Sequence, residues 1–237
     1  MKTTLIALLI AVTLFACKTP QMVLAPSLKS NSETMMVKGK QGLQIRRTIA
    51  YGNYTTSKVK QGWQTGYDIP FFLRFQGMQE KLSFRQFGSE GRVADVYAVG
   101  KFRSTELPVM REHFNIQLNE KNHFAGTVVM NNGQDIWEFL LYNPDGKFFT
   151  NKGAGFIKNN AETIDVKGVT QLENGNNLSV QFIGYEFVHD GETIGAVETI
   201  NNGKVWFKND LSVDLKLVLA SLSSSLLLRT NLEESLY

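Results

Sequence analysis

The sequence predicts an all-β domain: an antiparallel, closed or nearly closed barrel of about twelve strands with one buried helix at its C-terminal end. Three observations predict it. Short segments of alternating apolar and polar residues recur from Met35 to Lys208. Five glycine-containing turn signals fall among them between Asn131 and Gly203. Residues 211–229 then form a helical stretch that is apolar around nearly its whole circumference.

Composition narrows the chemistry. The chain has 237 residues, 43% of them hydrophobic and 20% charged, which suits a packed core rather than a disordered or coiled-coil chain. One cysteine and three histidines exclude internal disulfides, a cysteine-rich zinc site, an iron–sulfur site and an all-histidine multi-metal centre. The net charge of +3 gives no reason to expect nucleic acid.

The chain opens MKTTLIALLIAVTLFAC. Lys2 supplies a positive start, and residues 3–15 are an uncharged, mostly apolar run too short to cross a bilayer comfortably as a helix, which needs about 20 residues. That is the length of a secretory signal. The ending Leu14-Phe15-Ala16-Cys17 resembles a bacterial lipobox. The resemblance implies a lipoprotein signal peptide over residues 1–16, cleavage before Cys17, and lipidation of Cys17 on its sulfur and its new amine. Several acyl chains anchor stably where one is marginal. Lys18 follows, where enterobacterial-type lipoproteins retained in the inner membrane carry Asp; the resemblance therefore points to the outer membrane, with the periplasmic side favoured by the absence of an acidic tract.

Residues 17–33 read as the lipidated N-terminus and a tether, with Pro20, Pro26 and serines and no sustained period. Met22-Val23-Leu24 packing on the domain is the alternative. A single β-rich domain follows over residues 34–237. Its strand candidates include Leu43 to Tyr51, with Leu43, Ile45, Arg47, Ile49 and Tyr51 on one face; Lys81 to Phe87, which alternates strictly; Val93 to Val99; the Phe114, Ile116, Leu118 alternation; and a less clean alternation at Ile194, Ala196 and Glu198. Asn131-Asn132-Gly133, Pro144-Asp145-Gly146, Glu173-Asn174-Gly175, His189-Asp190-Gly191 and Asn201-Asn202-Gly203 supply the turns, because Asn, Asp and Gly tolerate the positive φ of tight hairpins.

The C-terminal helix is expected over residues 210–229, capped by Asn209 or Asp210, with Asp214 early and Arg229 at the end, both suited to the helix dipole. Its apolar run, Leu215 to Leu228, is short for a membrane span and contains Lys216 and four serines, so enclosure within the sheet is the better reading; membrane association and a dimer contact are the others. Ser221, Ser223, Ser224 and Ser225 can return their hydroxyls to carbonyls one turn back.

The stretch YEFVHDGETIGAVETINNGKVWFKNDLSVDLKLVLASLSSSLLL, residues 185–228, resembles the end of the tubby-like fold, which includes the tubby, phospholipid-scramblase and LURP-one-related families. The resemblance implies a closed antiparallel barrel around a hydrophobic helix. It carries over one residue, Asp214, as a structural residue at the helix start. It carries over neither phosphoinositide binding nor a palmitoylated cysteine cluster, because no matching residues are present.

Chemistry-bearing motifs are sparse. His113, His123 and His189 show no HxH, HExxH or histidine–carboxylate spacing with Glu112, Asp135 or Asp190, and read as solvent-facing or turn residues. No nucleophile elbow or phosphate loop occurs, and Gly153-Ala154-Gly155 reads as a turn. The carboxylate pairs Glu80/Glu90 and Glu138/Asp145 read as turn charges. The aromatic groups Trp63/Tyr67/Phe71/Phe72/Phe75 and Trp137/Phe139/Tyr142/Phe148/Phe149 read as strand cores before ligand grooves. Tyr51-Gly52-Asn53-Tyr54, beside Arg46, Arg47, Lys58 and Lys60, reads as a surface or lipid-headgroup contact. No catalytic residue, metal ligand or cofactor site is assigned. The expected partners are membrane lipid through acylated Cys17 and an envelope protein or lipid. The leading reading is a non-enzymatic envelope lipoprotein that binds or supports; a hydrolase or other enzyme on an all-β scaffold and a lipid-handling barrel are the alternatives.

Overall fold

The computed structural model describes residues 20–41, 47–61, 80–100, 123–142, 153–177 and 182–234. Thirteen strands are present among them: β1 (Ser32–Met36), β2 (Ala50–Tyr51), β3 (Tyr54–Thr56), β4 (Lys60–Gln61), β5 (Glu80–Phe87), β6 (Val93–Gly100), β7 (His123–Met130), β8 (Asp135–Tyr142), β9 (Gly153–Lys158), β10 (Thr163–Val169), β11 (Gly184–His189), β12 (Glu192–Glu198) and β13 (Lys204–Lys208). A short helix α1 (Pro26–Asn31) precedes β1, and the long helix α2 (Val213–Glu234) follows β13.

All the strand pairings are antiparallel. From β5 to β13 each strand pairs with its successor, as a meander requires, and β1 returns to the free edge of β13. β3 and β4 share the other edge of β5, and β2 pairs with β3. Just beyond β1 the backbone of Lys38 exchanges two hydrogen bonds with Ala50 of β2, at 2.8 and 3.1 Å. That single bridge brings the two ends of the path together. The result is a nearly closed antiparallel barrel with a C-terminal helix, a tubby-like architecture.

Helix α2 is the core. From Leu217 to Arg229 every residue is buried, and the inward side chains of the sheet pack on it, among them Val96, Phe124, Val128, Phe139, Ile157, Phe187 and Val205. Removing this apolar surface from water at about 25 cal/mol per Å² is the main force that holds sheet and helix together. The hydroxyls expected to turn back on the helix do so at two positions: Ser221 donates to the Leu217 carbonyl and Ser225 to the Ser221 carbonyl, both at 2.8 Å. Ser224 instead donates across to Gln86 Oε1 at 2.7 Å, and Tyr51 donates to the Ala220 carbonyl at 2.7 Å with its oxygen 3.0 Å from Ser224 Oγ. Gln86 in turn donates to the carbonyls of Thr55 and Phe87. This polar chain fixes the helix in rotation and depth, because an unmatched hydroxyl or amide in a dry interior costs about 1–3 kcal/mol.

Both ends of α2 differ from expectation. The cap is Ser212, whose Oγ accepts from the Leu215 amide at 3.2 Å, rather than Asn209 or Asp210. Asn209 has another part: its carbonyl accepts the Lys216 ammonium at 2.7 Å, which keeps that charge at the mouth of the barrel. The helix does not stop at Arg229 but continues to Glu234. Arg229 is buried, with its guanidinium 5.8 Å from the centre of the Phe124 ring.

Hairpin turns follow the sequence signals where they are described. Asp190 and Asn201 adopt φ of 50° and 53°, each followed within two residues by a glycine at positive φ. The uneven alternation in β12 has a physical cause. The pairing of β11 with β12 shifts register between Phe187 and Val188, so Ile194 faces inward while Ala196 and Glu198 face out. Gly153–Gly155 starts a strand rather than making a turn. A Cβ on Gly155 would lie 1.9 Å from the Leu140 carbonyl oxygen, so only glycine permits that close approach. Of the Leu43 to Tyr51 segment, the described residues 47–51 include strand at Ala50 and Tyr51; residues 42–46, the Phe114 to Leu118 alternation and the Pro144-Asp145-Gly146 signal lie outside the described residues.

Candidate functional site

Helix α2 fills the interior, and among the described residues two places on the outer wall stand out. The first is a covered patch on β11–β13. The segment before β1, read as a tether with local packing as the alternative, lies along this patch from Pro20 to Asn31. Met22 and Leu28 are buried there with Leu172, Ile183, Ala196 and Trp206, and Leu24 is half-buried against them. The seat for Met22 is made by Gly184, where a Cβ would fall 2.2 Å from the Met22 sulfur. Backbone bonds fix the rest: the Val23 amide donates to the Gln171 carbonyl at 2.9 Å, and the Glu173 amide to the Gln21 carbonyl at 2.8 Å. The Met22 amide donates to Glu198 Oε2 at 2.7 Å, and the Ala25 amide to Glu186 Oε1 at 3.1 Å. Helix α1 follows, packed on β12 and β13.

Glu198 is the unusual group here. It is buried on the outer face, and that burial raises its pKa, partly offset by the Met22 amide and by the charges of Lys204 and Lys40. The Lys40 ammonium is itself buried, bonded to the carbonyls of Thr199 and, at 3.0 Å, Asn201.

The second place is a depression of about 410 Å³ at the other end of the wall, lined by Gln134, Asp135, Ile136, Glu138, Lys158, Asn159, Asn160 and Ala161. The start of β8 and the β9–β10 turn form it. Burial raises the Glu138 pKa, offset by Lys158 opposite it in the register. Lys158 lies 5.4 Å from the centre of the Phe156 ring. Asn159 Oδ1 is already engaged by the amides of Ala161 and Glu162 at 2.9 Å each, which stiffens the rim. Carboxylates, an ammonium and carboxamides can hold a polar ligand; no serine, cysteine or histidine lines the depression to act as a nucleophile or proton shuttle.

Compared with protein-family models, curated proteins and solved structures, the chain matches none.

The residues singled out from sequence disperse. His123 is buried on β7, not solvent-facing, and His189 lies four strands away beside the β11–β12 turn, its Nε2 3.5 Å from Glu162. Among the described residues no group of three or more His, Cys, Asp or Glu could hold a metal ion. Glu90 and Asp190 are turn residues at positive φ. Tyr51 and Tyr54 are buried inside the barrel against α2 and Phe207, not on the surface; the basic residues beside them in sequence do not decide which way a strand residue faces. Trp137 and Phe139 are core. Asp214 lies in the first turn of α2, with Oδ1 3.3 Å from Arg92 Nη1 in the β5–β6 turn. Cys17, His113, Glu112, Asp145, Phe148, Phe149 and the aromatic group from Trp63 to Phe75 lie outside the described residues. No helix among the described residues is long and apolar enough to cross a membrane.

Sequence reading held the docking of Met22 to Leu24 only as the alternative to a tether, and it missed the extension to Leu28, the Gly184 seat and Glu198. The available signal was the Met22, Leu24, Leu28 spacing, which is faint because it spans only seven residues.

Proposed function

We propose that the protein is a non-enzymatic envelope lipoprotein, held to the outer membrane on its periplasmic side through acylated Cys17, whose barrel is a binding or structural module. The observation that carries this reading is the filled interior: Leu217 to Arg229 occupy the space that a lipid-handling barrel would keep for an acyl chain. Ligands then meet the outer wall, where the mixed-charge depression beside Glu138 and Lys158 suits a polar ligand. The lipobox-like run ending at Cys17 supports the anchor. Asp214 is assigned a structural part, holding the helix start to the β5–β6 turn through Arg92.

The test is intact mass and fractionation of the protein and its Cys17→Ser variant. The reading expects an acylated chain beginning at Cys17 in the outer-membrane fraction and a released variant. An unmodified, soluble wild-type chain contradicts it.

A further inference from the structure

We propose that the docked segment is a short, stiff mount that holds the wall beside Pro20 against the phospholipid surface, so that the Asn174–Asn177 and Asn201–Gly203 turns contact headgroups. The inference rests on the anchor reading above and goes beyond it by assigning an orientation.

The argument is one of reach. A free tether from Lys18 to Glu33 would extend to about 55 Å, at 3.3–3.6 Å per residue, and would leave the barrel unoriented. The structure removes nearly all of that slack. The chain is already fixed at Pro20, whose carbonyl accepts Asn201 Nδ2 at 3.4 Å, and at Gln21, whose carbonyl accepts the Glu173 amide. Only Lys18 and Thr19 separate Pro20 from Cys17, three residue steps that span at most about 11 Å. The polar headgroup layer on one side of a bilayer takes up about 5–8 Å of that. Only a few ångströms of clearance remain, so the turns flanking Pro20 meet the headgroups.

Direction follows from topology. Pro20 lies at the end of the wall where β12 gives way to β13, marked by Asn201 and Asn202. The hairpin of Asp190-Gly191 caps the opposite end, about 23 Å away along the seven residues of β12. The face beside Pro20 is exposed and rich in carboxamides, with Asn174, Asn176, Asn177, Asn201 and Asn202. Such groups donate hydrogen bonds to phosphate and glycerol oxygens without needing an anionic lipid. The depression beside Glu138 then points away from the bilayer, since it lies at the Asp190 end of the wall.

The experiment is amide hydrogen exchange on the full acylated chain in vesicles of phosphatidylethanolamine and phosphatidylglycerol, against the Cys17→Ser chain mixed with the same vesicles. Cys17 acylation is verified by mass on the same sample. Exchange at 174–177 and 201–203 is expected to slow several-fold in the anchored chain, with 190–191 and 131–133 unchanged. A second variant inserts on the order of twelve Gly/Ser residues after Lys18, adding about 40 Å of reach without touching the barrel; the protection should vanish. Equal exchange at both ends of an acylated chain, or protection that survives the insertion, would overturn the proposal alone. A chain from the outer-membrane fraction with Cys17 unmodified would overturn the anchor reading and the proposal with it.

Discussion

The wall at β11–β13 is covered on both sides by its own chain, and the two covers differ in kind. Inside, α2 is buried at thirteen consecutive residues, Leu217 to Arg229, and eight of them join one apolar cluster with every long strand. Outside, the segment from Pro20 to Asn31 contributes chiefly Met22, Leu24 and Leu28 to a small separate cluster. The first cover is part of the global fold. The second is a local attachment, secured by few apolar contacts and a handful of hydrogen bonds, whose opening should leave the barrel intact.

That contrast can be broken most forcefully from within. Leu222→Ala should cost about 2–5 kcal/mol, read as a shift in the urea midpoint, since the closed wall cannot collapse onto the space left behind. Next comes Gln86→Leu, which leaves Ser224 with Tyr51 alone and removes the side-chain donor to the carbonyls of Thr55 and Phe87; it should cost about 1–3 kcal/mol by the same measurement. Leu28→Ala attacks the outer cover. Here the expected result is rapid hydrogen exchange and protease cleavage confined to residues 20–31, with the global midpoint shifted far less than by Leu222→Ala. A Leu28→Ala midpoint shift as large as that of Leu222→Ala would merge the two covers into one cooperative unit.

Acidity sharpens the outer side further. Burial raises the Glu198 pKa above its unfolded value, so the folded state holds its proton more tightly. The neutral form therefore favours the fold, and stability should fall as pH rises from the ordinary carboxylate pKa through the raised one. Lys40, Lys204 and Glu173 face the same group, which makes the difference between wild type and Glu198→Gln the informative quantity. The variant, which can still accept the Met22 amide, should lack that slope in urea melts across the acidic range. The smallest effect belongs to Asp214→Asn: the Arg92 partner is itself well exposed, so the loss should be about 0.5–1 kcal/mol, mostly from the helix dipole, and should shrink with salt.

The same contrast explains what could be read from sequence. A helix apolar on all sides has few places to go, and Leu211 to Leu228 carries that message in its composition alone. The turns at Asp190-Gly191 and Asn201–Gly203 were legible because positive φ selects Asn, Asp and Gly. Tyr51 was legible in part: the alternation places it on one face with Ile49, and both are buried in the core, but the basic residues nearby in sequence also point Tyr51 to the surface, where it does not lie. Ile194 was obscured by a bulge whose position depends on the partner strand. The cap at Ser212 was not legible, because Asn209, Asp210 and Ser212 are all good caps and only the backbone decides among them. Of the outer wall, Met22 to Leu24 gave a hint; Gly184 and Glu198 gave none, because a seat and a buried carboxylate are made by residues distant in sequence.

The filled barrel is the claim on which the rest stands, and native-state hydrogen exchange of the α2 amides from Leu217 to Arg229 measures it directly. These amides should exchange only through global unfolding, with the same denaturant dependence as β6 and β7 and no change when long-chain fatty acid is added. Exchange through a low-energy local opening, or exchange accelerated by the fatty acid, would mean that the helix leaves its place and that the interior is a lipid site after all.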